Sequence, residues 1–475
     1  MTPCGPPGAR PERIGVILVH GIGEQRRFEH LSAHARDLIR ALEGLRDEHD
    51  PTVRPKIGEV TVDISGAGAA ALHAEQDTWT SGPGPSVTVA VKRPGGREQR
   101  LLFHEVWWAD VNERYSLAKQ WRFWRWGIAI WMHPGKRWSA LQSANRVAPP
   151  AIPRRRRWWD RARLFLVGAF FVLLGCSVGA VTFLAERLLN WQAPRVLRAL
   201  ANYISAVKLY SQQHRLSPGL FPQREDFLDT VGEPPRVSIR RRMIRAIADV
   251  ACNDYDRWYV LAHSQGGVVA FNGLMETAYA WPGYLDERRW QRLRARDMAG
   301  PRRAAGDVPE PEIKPTMPRR PGWARPDSIA YRSRILSRFR GMLTYGCPLE
   351  KFAGIWPAVV PISREPAFVP GTPWLNVLDP TDPVSGRLLA FEKQPETCCP
   401  RPVNIGYGAS WWLLLSHLKY LTRRRGGRDL ATAVCRWLLD GTFAFQDHKA
   451  RGWRCGAFFT PGYGSGQAWL RTIIA

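Results

Sequence analysis

The sequence predicts an α/β protein with a mainly parallel central sheet and helices on both faces. Two observations lead there. Apolar runs of strand length recur along the chain and are separated by helical patterns, as in residues 13–23 ("RIGVILVHGIG"), 236–257 ("RVSIRRRMIRAIADVACNDYDR") and 258–271 ("WYVLAHSQGGVVAF"); strands alternating with helices over such a length build a parallel sheet covered on both sides. The residues able to do chemistry also gather where strand-like runs end, the edge at which parallel sheets place their sites. A hydrophobic fraction of 45% over 475 residues supplies an ample core and excludes wholesale disorder.

Taken in order, residues 13–23 read as a buried strand that ends in a Gly-rich turn, and 30–49 carry helical periodicity. "EVTVDIS", "SVTVAVKRP" and "RLLFHEVWWADV" alternate or run apolar and read as strands. Residues 236–257 form an amphipathic helix that leads into the strand–turn–helix of 258–271. The stretch 281–326 is rich in Arg and Pro and poor in apolar residues, which predicts a surface insertion with a short basic helix near 285–296. "RGMLTYGCPLEKF", "WLNVLDPTDPVSG" and "WWLLLSHLKYL" then alternate strand, turn and helix character. The expected organisation is an N-terminal part of the α/β domain over 1–110, a helical insertion over 111–215, the C-terminal part of the α/β domain over 216–440, and a tail over 441–475.

Charge and tryptophan content point to a surface partner. The formal net charge is +26, and the chain carries 22 Trp. Such a balance suits nucleic acid or an anionic membrane, and Trp with Arg favours a bilayer interface, where an apolar ring and a polar edge are both satisfied. Residues 164–185, "LFLVGAFFVLLGCSVGAVTFLA", hold no charged side chain and follow "PRRRRWWDRAR". As a helix the run is roughly 33 Å long, enough for a hydrocarbon core. The Trp- and Arg-rich residues 119–133 and the amphipathic 190–210 suit helices lying in the interface plane. No nucleic-acid motif is present, so specific nucleic-acid binding is not expected. The eight cysteines include no CxxC pair, and residues 1–10 lack the apolar core of a secretion signal. Reduced thiols and a cytoplasmic catalytic domain are expected.

"AHSQG", residues 262–266, carries the small-x-Ser-x-Gly pattern of a nucleophile elbow. A serine held on a strained turn between strand and helix needs small neighbours two places away on either side, here Ala262 and Gly266, and Gly267 allows the helix to pack close. On these residues the chain resembles the α/β-hydrolase superfamily of serine esterases and lipases, with Ala262 where Gly is commoner. The resemblance implies that Ser264 is the nucleophile. It implies that "VHGIGEQ" (19–25) opens the oxyanion loop, with Ile22 or its neighbour Gly21 giving one N–H and Gln265 the other. His20 is expected to orient that loop. The family's order of Ser, acid and His leaves His417 and His448 as bases, of which His417 is preferred because it follows an apolar run. The acid is Asp382 or Asp379 in "NVLDPTDPVSG", with Asp382, before Pro-Val, favoured. "TYGCPL" resembles the strand and turn between nucleophile and acid, with no catalytic role for Cys347.

The expected activity is hydrolysis of carboxylic esters, lipid esters among them, at an anionic membrane surface, through an acyl-enzyme and without metal or organic cofactor. The alternative is a catalytically inactive hydrolase-fold scaffold that binds a membrane or a partner. One tension stands within this reading. A single crossing by 164–185 would put Gly21 and Ser264 on opposite sides of a bilayer. The run is therefore a re-entrant hairpin, one of an even number of crossings, or a helix dipping into one leaflet.

Overall fold

The computed structural model describes residues 10–21, 29–46, 59–65, 86–93, 97–108, 235–276, 279–298, 318, 320–325, 332–350, 352, 372–379, 382, 384–388, 391, 401–407, 417, 419–421 and 430–443. The apolar run 164–185, the flanking segments 119–133 and 190–210, and His448 lie outside the described residues. Among the described residues no helix is long and apolar enough to cross a membrane.

Eight strands form one sheet: β1 (Glu12–Val19), β2 (Glu59–Ser65), β3 (Ser86–Lys92), β4 (Glu98–Val106), β5 (Arg257–His263), β6 (Phe339–Tyr345), β7 (Trp374–Leu378) and β8 (Pro402–Gly406), in the spatial order β2-β3-β4-β1-β5-β6-β7-β8. All neighbours from β4 to β8 pair in parallel, and β3 runs against both β2 and β4. The sheet is thus mixed and mostly parallel, as the strand–helix alternation predicts. β1, first in sequence, sits centrally between β4 and β5, and its burial follows: Ile14, Val16, Ile17, Leu18 and Val19 have no exposed surface. A central parallel strand is covered on both faces, so its sequence runs apolar without alternation.

Period-two side-chain geometry divides the core into two layers. Ile14, Val16 and Leu18 of β1, with Tyr259 and Leu261 of β5, pack against α1 (Glu29–Arg46) and the C-terminal helix Leu430–Asp440. Ile17 and Val19, with Trp258, Val260 and Ala262, face α2 (Pro235–Cys252) and α3 (Gly266–Leu274) on the other side. The same layer takes in α4 (Trp281–Tyr284) and α5 (Glu287–Met298). The basic helix expected near 285–296 is α5. The expectation of a surface insertion over 281–326 needs correction at its start, because Trp281, Tyr284, Leu285, Trp290 and Leu293 are buried in the α2 layer. A few large apolar side chains on an Arg-rich helix bury one stripe and leave the charges outside. Arg289, for example, reaches Asp249 of α2 at 3.0 Å and Asp286 at 2.5 Å. The remaining short helix, α6, is Arg332–Ile335, and the C-terminal helix is α7.

Two consequences of this topology bear on the site. The strands of the parallel part end at one edge, so the turns after β1, β5, β6 and β7 meet there. The stretch 109–234 also leaves from that edge, after β4, and leads into α2, in whose body the Arg242 guanidinium donates to the Trp107 carbonyl at 3.3 Å.

Candidate active site

The turn after β5 places Ser264 at φ 54, the one non-glycine residue with positive φ among the described residues. A side chain in the left-handed region costs of order 1 kcal/mol or more and persists where its surroundings over-determine it. They do so here. The Ser264 amide donates to the Tyr345 carbonyl at the end of β6 (2.9 Å), and its own carbonyl accepts from Gly267 N–H at 3.0 Å. A Cβ on Gly266 would overlap the carbonyl oxygens of Val19, the last residue of β1, and of His20, which follows it. The space a Cβ on Gly267 would need is filled by the Cys347 thiol. The expected close packing of this glycine is therefore against the turn after β6, and Cys347 is a packing group whose burial pushes its thiol up to about 12.

The three side chains named from the sequence converge. The His417 Nε2 lies 2.9 Å from Ser264 Oγ, and its Nδ1 lies 2.8 Å from Asp382 Oδ2. Ser264 and Asp382 are buried, at 1% and 4% exposure. A donor to the carboxylate at Nδ1 leaves Nε2 free to accept the serine proton, and this is the tautomer an acyl-transfer base needs. The carboxylate is further held by the Val384 amide, which donates to Oδ1 at 2.8 Å. Asp379, the other candidate, shapes the turn with its main chain: its carbonyl accepts from the Asp382 amide at 3.0 Å and from Ser385 Oγ at 3.1 Å. The acidic side chain that meets the base is that of Asp382.

The loop after β1 abuts the serine. A Cβ on Gly21 would lie 2.5 Å from Ser264 Cβ and 3.1 Å from its Oγ, so only glycine lets this backbone come so near the hydroxyl. Ile22 lies outside the described residues. Gln265 directly follows Ser264 and forms the N-cap of α3, where helix geometry leaves amide groups directed away from the helix. No protein-family model, no curated protein and no solved structure matches this chain.

His20 has the orienting contacts expected of it. The Trp108 amide donates to its Nε2 at 3.0 Å, which puts the ring proton on Nδ1, and Nδ1 donates to the Gly21 carbonyl at 2.6 Å. The Trp108 indole N–H donates to the His20 carbonyl at 3.1 Å, and the two rings stack at 5.1 Å. Sequence reasoning missed Trp108; its position two residues past the end of β4 gives no signal until β4 and β1 are known to be neighbours. Replacing it with phenylalanine keeps a ring to stack but removes the indole donor. Trp108→Phe is expected to lower stability by about 1–2 kcal/mol. A urea midpoint shift with an unchanged m-value would register this; no shift would show the indole bond to be idle.

His263 was also missed as a site residue. It is the x before the serine, and its Nε2 bonds the His417 carbonyl at 2.9 Å, with the two rings 4.8 Å apart. Desolvation at this partly buried site, then the nearby His417 and His34, hold its imidazole well below the usual range. It therefore stays neutral and puts no second cation beside His417. Among the described residues no group of three or more His, Cys, Asp or Glu is placed to hold a metal ion.

Proposed function

We propose that this chain is a membrane-associated serine hydrolase of α/β-hydrolase type that cleaves carboxylic esters, with lipid esters as the substrate class. The observation that carries the reading is the unbroken hydrogen-bonded line from Asp382 through His417 to Ser264. The strained serine turn between β5 and α3, at the carboxyl edge of a mostly parallel sheet, supports the fold assignment.

In this reading His417 Nε2 takes the Ser264 proton as Oγ adds to the acyl carbonyl, and Asp382 stabilises the imidazolium. The carbonyl oxygen gains negative charge and is met by the Gln265 N–H and by an N–H of the Gly21–Ile22 backbone. The tetrahedral adduct collapses, the alkoxide leaves with the proton from His417, and the acyl group stays on Oγ. Water then gives its proton to the same imidazole, adds to the acyl carbon and releases the acid. Every proton removed is returned, and no resident cofactor takes part.

The membrane part of the proposal rests on the uncharged run 164–185 and its Arg- and Trp-rich flank. The stretch that holds this run is rooted beside the serine: it departs after Trp108, which holds His20, and His20 adjoins Gly21. The same reading puts the catalytic domain on the cytoplasmic side, facing an anionic surface, because the Arg-rich flank before residue 164 favours that side. A fluorophosphonate probe tests the chemistry and is expected to label the wild type. Failure to label folded wild type would leave the inactive membrane scaffold as the better reading. Hydrolysis of long-chain p-nitrophenyl esters is expected to rise several-fold on adding anionic vesicles. A preference for short soluble esters, indifferent to vesicles, would overturn the lipid assignment.

A further inference from the structure

A second side chain joins the base to the acid turn. Tyr420 stands three residues after His417 and is 1% exposed. Its hydroxyl accepts the Asp379 amide N–H at 2.9 Å and donates to Asp382 Oδ2 at 2.9 Å, the oxygen that also faces His417 Nδ1. The direction of the first bond is forced, because a main-chain N–H only donates. The hydroxyl proton is thereby committed to Asp382. Gly346 makes room for both partners: a Cβ there would lie 3.0 Å from the Tyr420 ring and 3.1 Å from that of His417.

We propose that Tyr420 is a positioning residue, which makes Asp382 rather than Asp379 the partner of His417 and fixes the rotation of its carboxylate. This rests on the hydrolase reading above. One hydroxyl engages both acidic residues differently: it ties Asp379 by its main chain and Asp382 by its side chain. Val384 N–H alone would leave the carboxylate anchored at Oδ1 and free to swing Oδ2 away from the imidazole. Burial, reinforced by the Asp382 charge, holds the phenol well above its usual range, so the donor is retained at every pH at which the base works.

Tyr420→Phe is expected to slow fluorophosphonate labelling about 10- to 100-fold, as for loss of a hydrogen bond to a charged group, with KM for a p-nitrophenyl ester unchanged. The pH profile is the readout that a merely structural role would not move. His417 is faced by Asp382, Ser264, His263 and Tyr420, with Asp379, Tyr345 and His34 behind them. Without the phenol, Oδ2 is free to leave the imidazole, and an opposite charge that moves away favours the protonated ring less. The acid limb of the profile then moves to lower pH. Placing 3-fluorotyrosine at position 420 preserves the shape and makes a stronger donor, which draws Asp382 charge away from the imidazole, so here too the limb moves to lower pH; this variant keeps the test open should the phenylalanine variant fail to fold.

In an Asp382→Asn background the Tyr420→Phe change is expected to alter the labelling rate less than about twofold, because a residue acting through a partner has nothing to add once the partner is changed. Equal loss in both backgrounds, or an acid limb that neither substitution moves, would overturn the inference while labelled wild type upholds the hydrolase reading. Wild type that takes no label would remove both.

Discussion

Alanine at Ser264, at His417 or at both together is expected to cost ester hydrolysis the same factor, on the order of a millionfold, because in the proposed reaction the two side chains work as one unit. Asp382→Asn is expected to cost less, roughly ten-thousandfold, through loss of the correct imidazole tautomer. The geometry is specific about this ordering, since His417 lies between the other two, 2.9 Å from one and 2.8 Å from the other. Initial rates on a p-nitrophenyl ester, normalised to folded protein by circular dichroism, provide the comparison. A double variant that falls far below either single one would mean that the two act independently. Retention of a tenth of the activity by Ser264→Ala would place the chemistry elsewhere.

Gly266→Ala is expected to destabilise the fold by about 3 kcal/mol or more, in the range of overpacking against unyielding neighbours. The atoms in the way are the Val19 and His20 carbonyl oxygens, and they belong to backbone at the end of the central strand. A flexible side chain moves aside, but a strand paired on both sides does not. Gly322 offers the contrast: a Cβ there meets nothing within 4 Å, so Gly322→Ala is expected to stay within about 0.5 kcal/mol of wild type. Urea denaturation of the pair measures the difference. A Gly266→Ala protein as stable as the Gly322 variant would mean that α3 rides less closely on β1 than its position indicates.

The sheet was legible where local pattern and tertiary role agree. The uninterrupted apolar run of β1 reads as buried on both faces because it is, between β4 and β5. The serine turn was legible because its constraints are steric and local: small residues are needed where strand, turn and helix crowd together. The choice between Asp379 and Asp382 was not settled by pattern, since both sit in one short turn and only the hydroxyl of Tyr420 and the ring of His417 distinguish them. Trp108 and His263 stayed hidden for the same reason: each acts on a residue from another strand or loop, 88 and 154 positions away in sequence. The early part of 281–326 was misjudged because composition averages over a window. Trp281, Tyr284, Trp290 and Leu293 are few among the arginines, yet helical spacing collects them on one buried side.

Trp107, just before the 109–234 stretch, touches Arg242 in the body of α2, the helix that follows the stretch, and that contact bears on a question of parity. A chain that departs from and comes home to one domain makes a closed excursion. Whatever barrier it pierces outward it must pierce again inward, or it must not pierce at all. If the apolar run at 164–185 enters a bilayer as proposed above, it belongs to a looped mooring whose outgoing line is made fast beside the serine. A body so moored keeps the serine's side toward the quay.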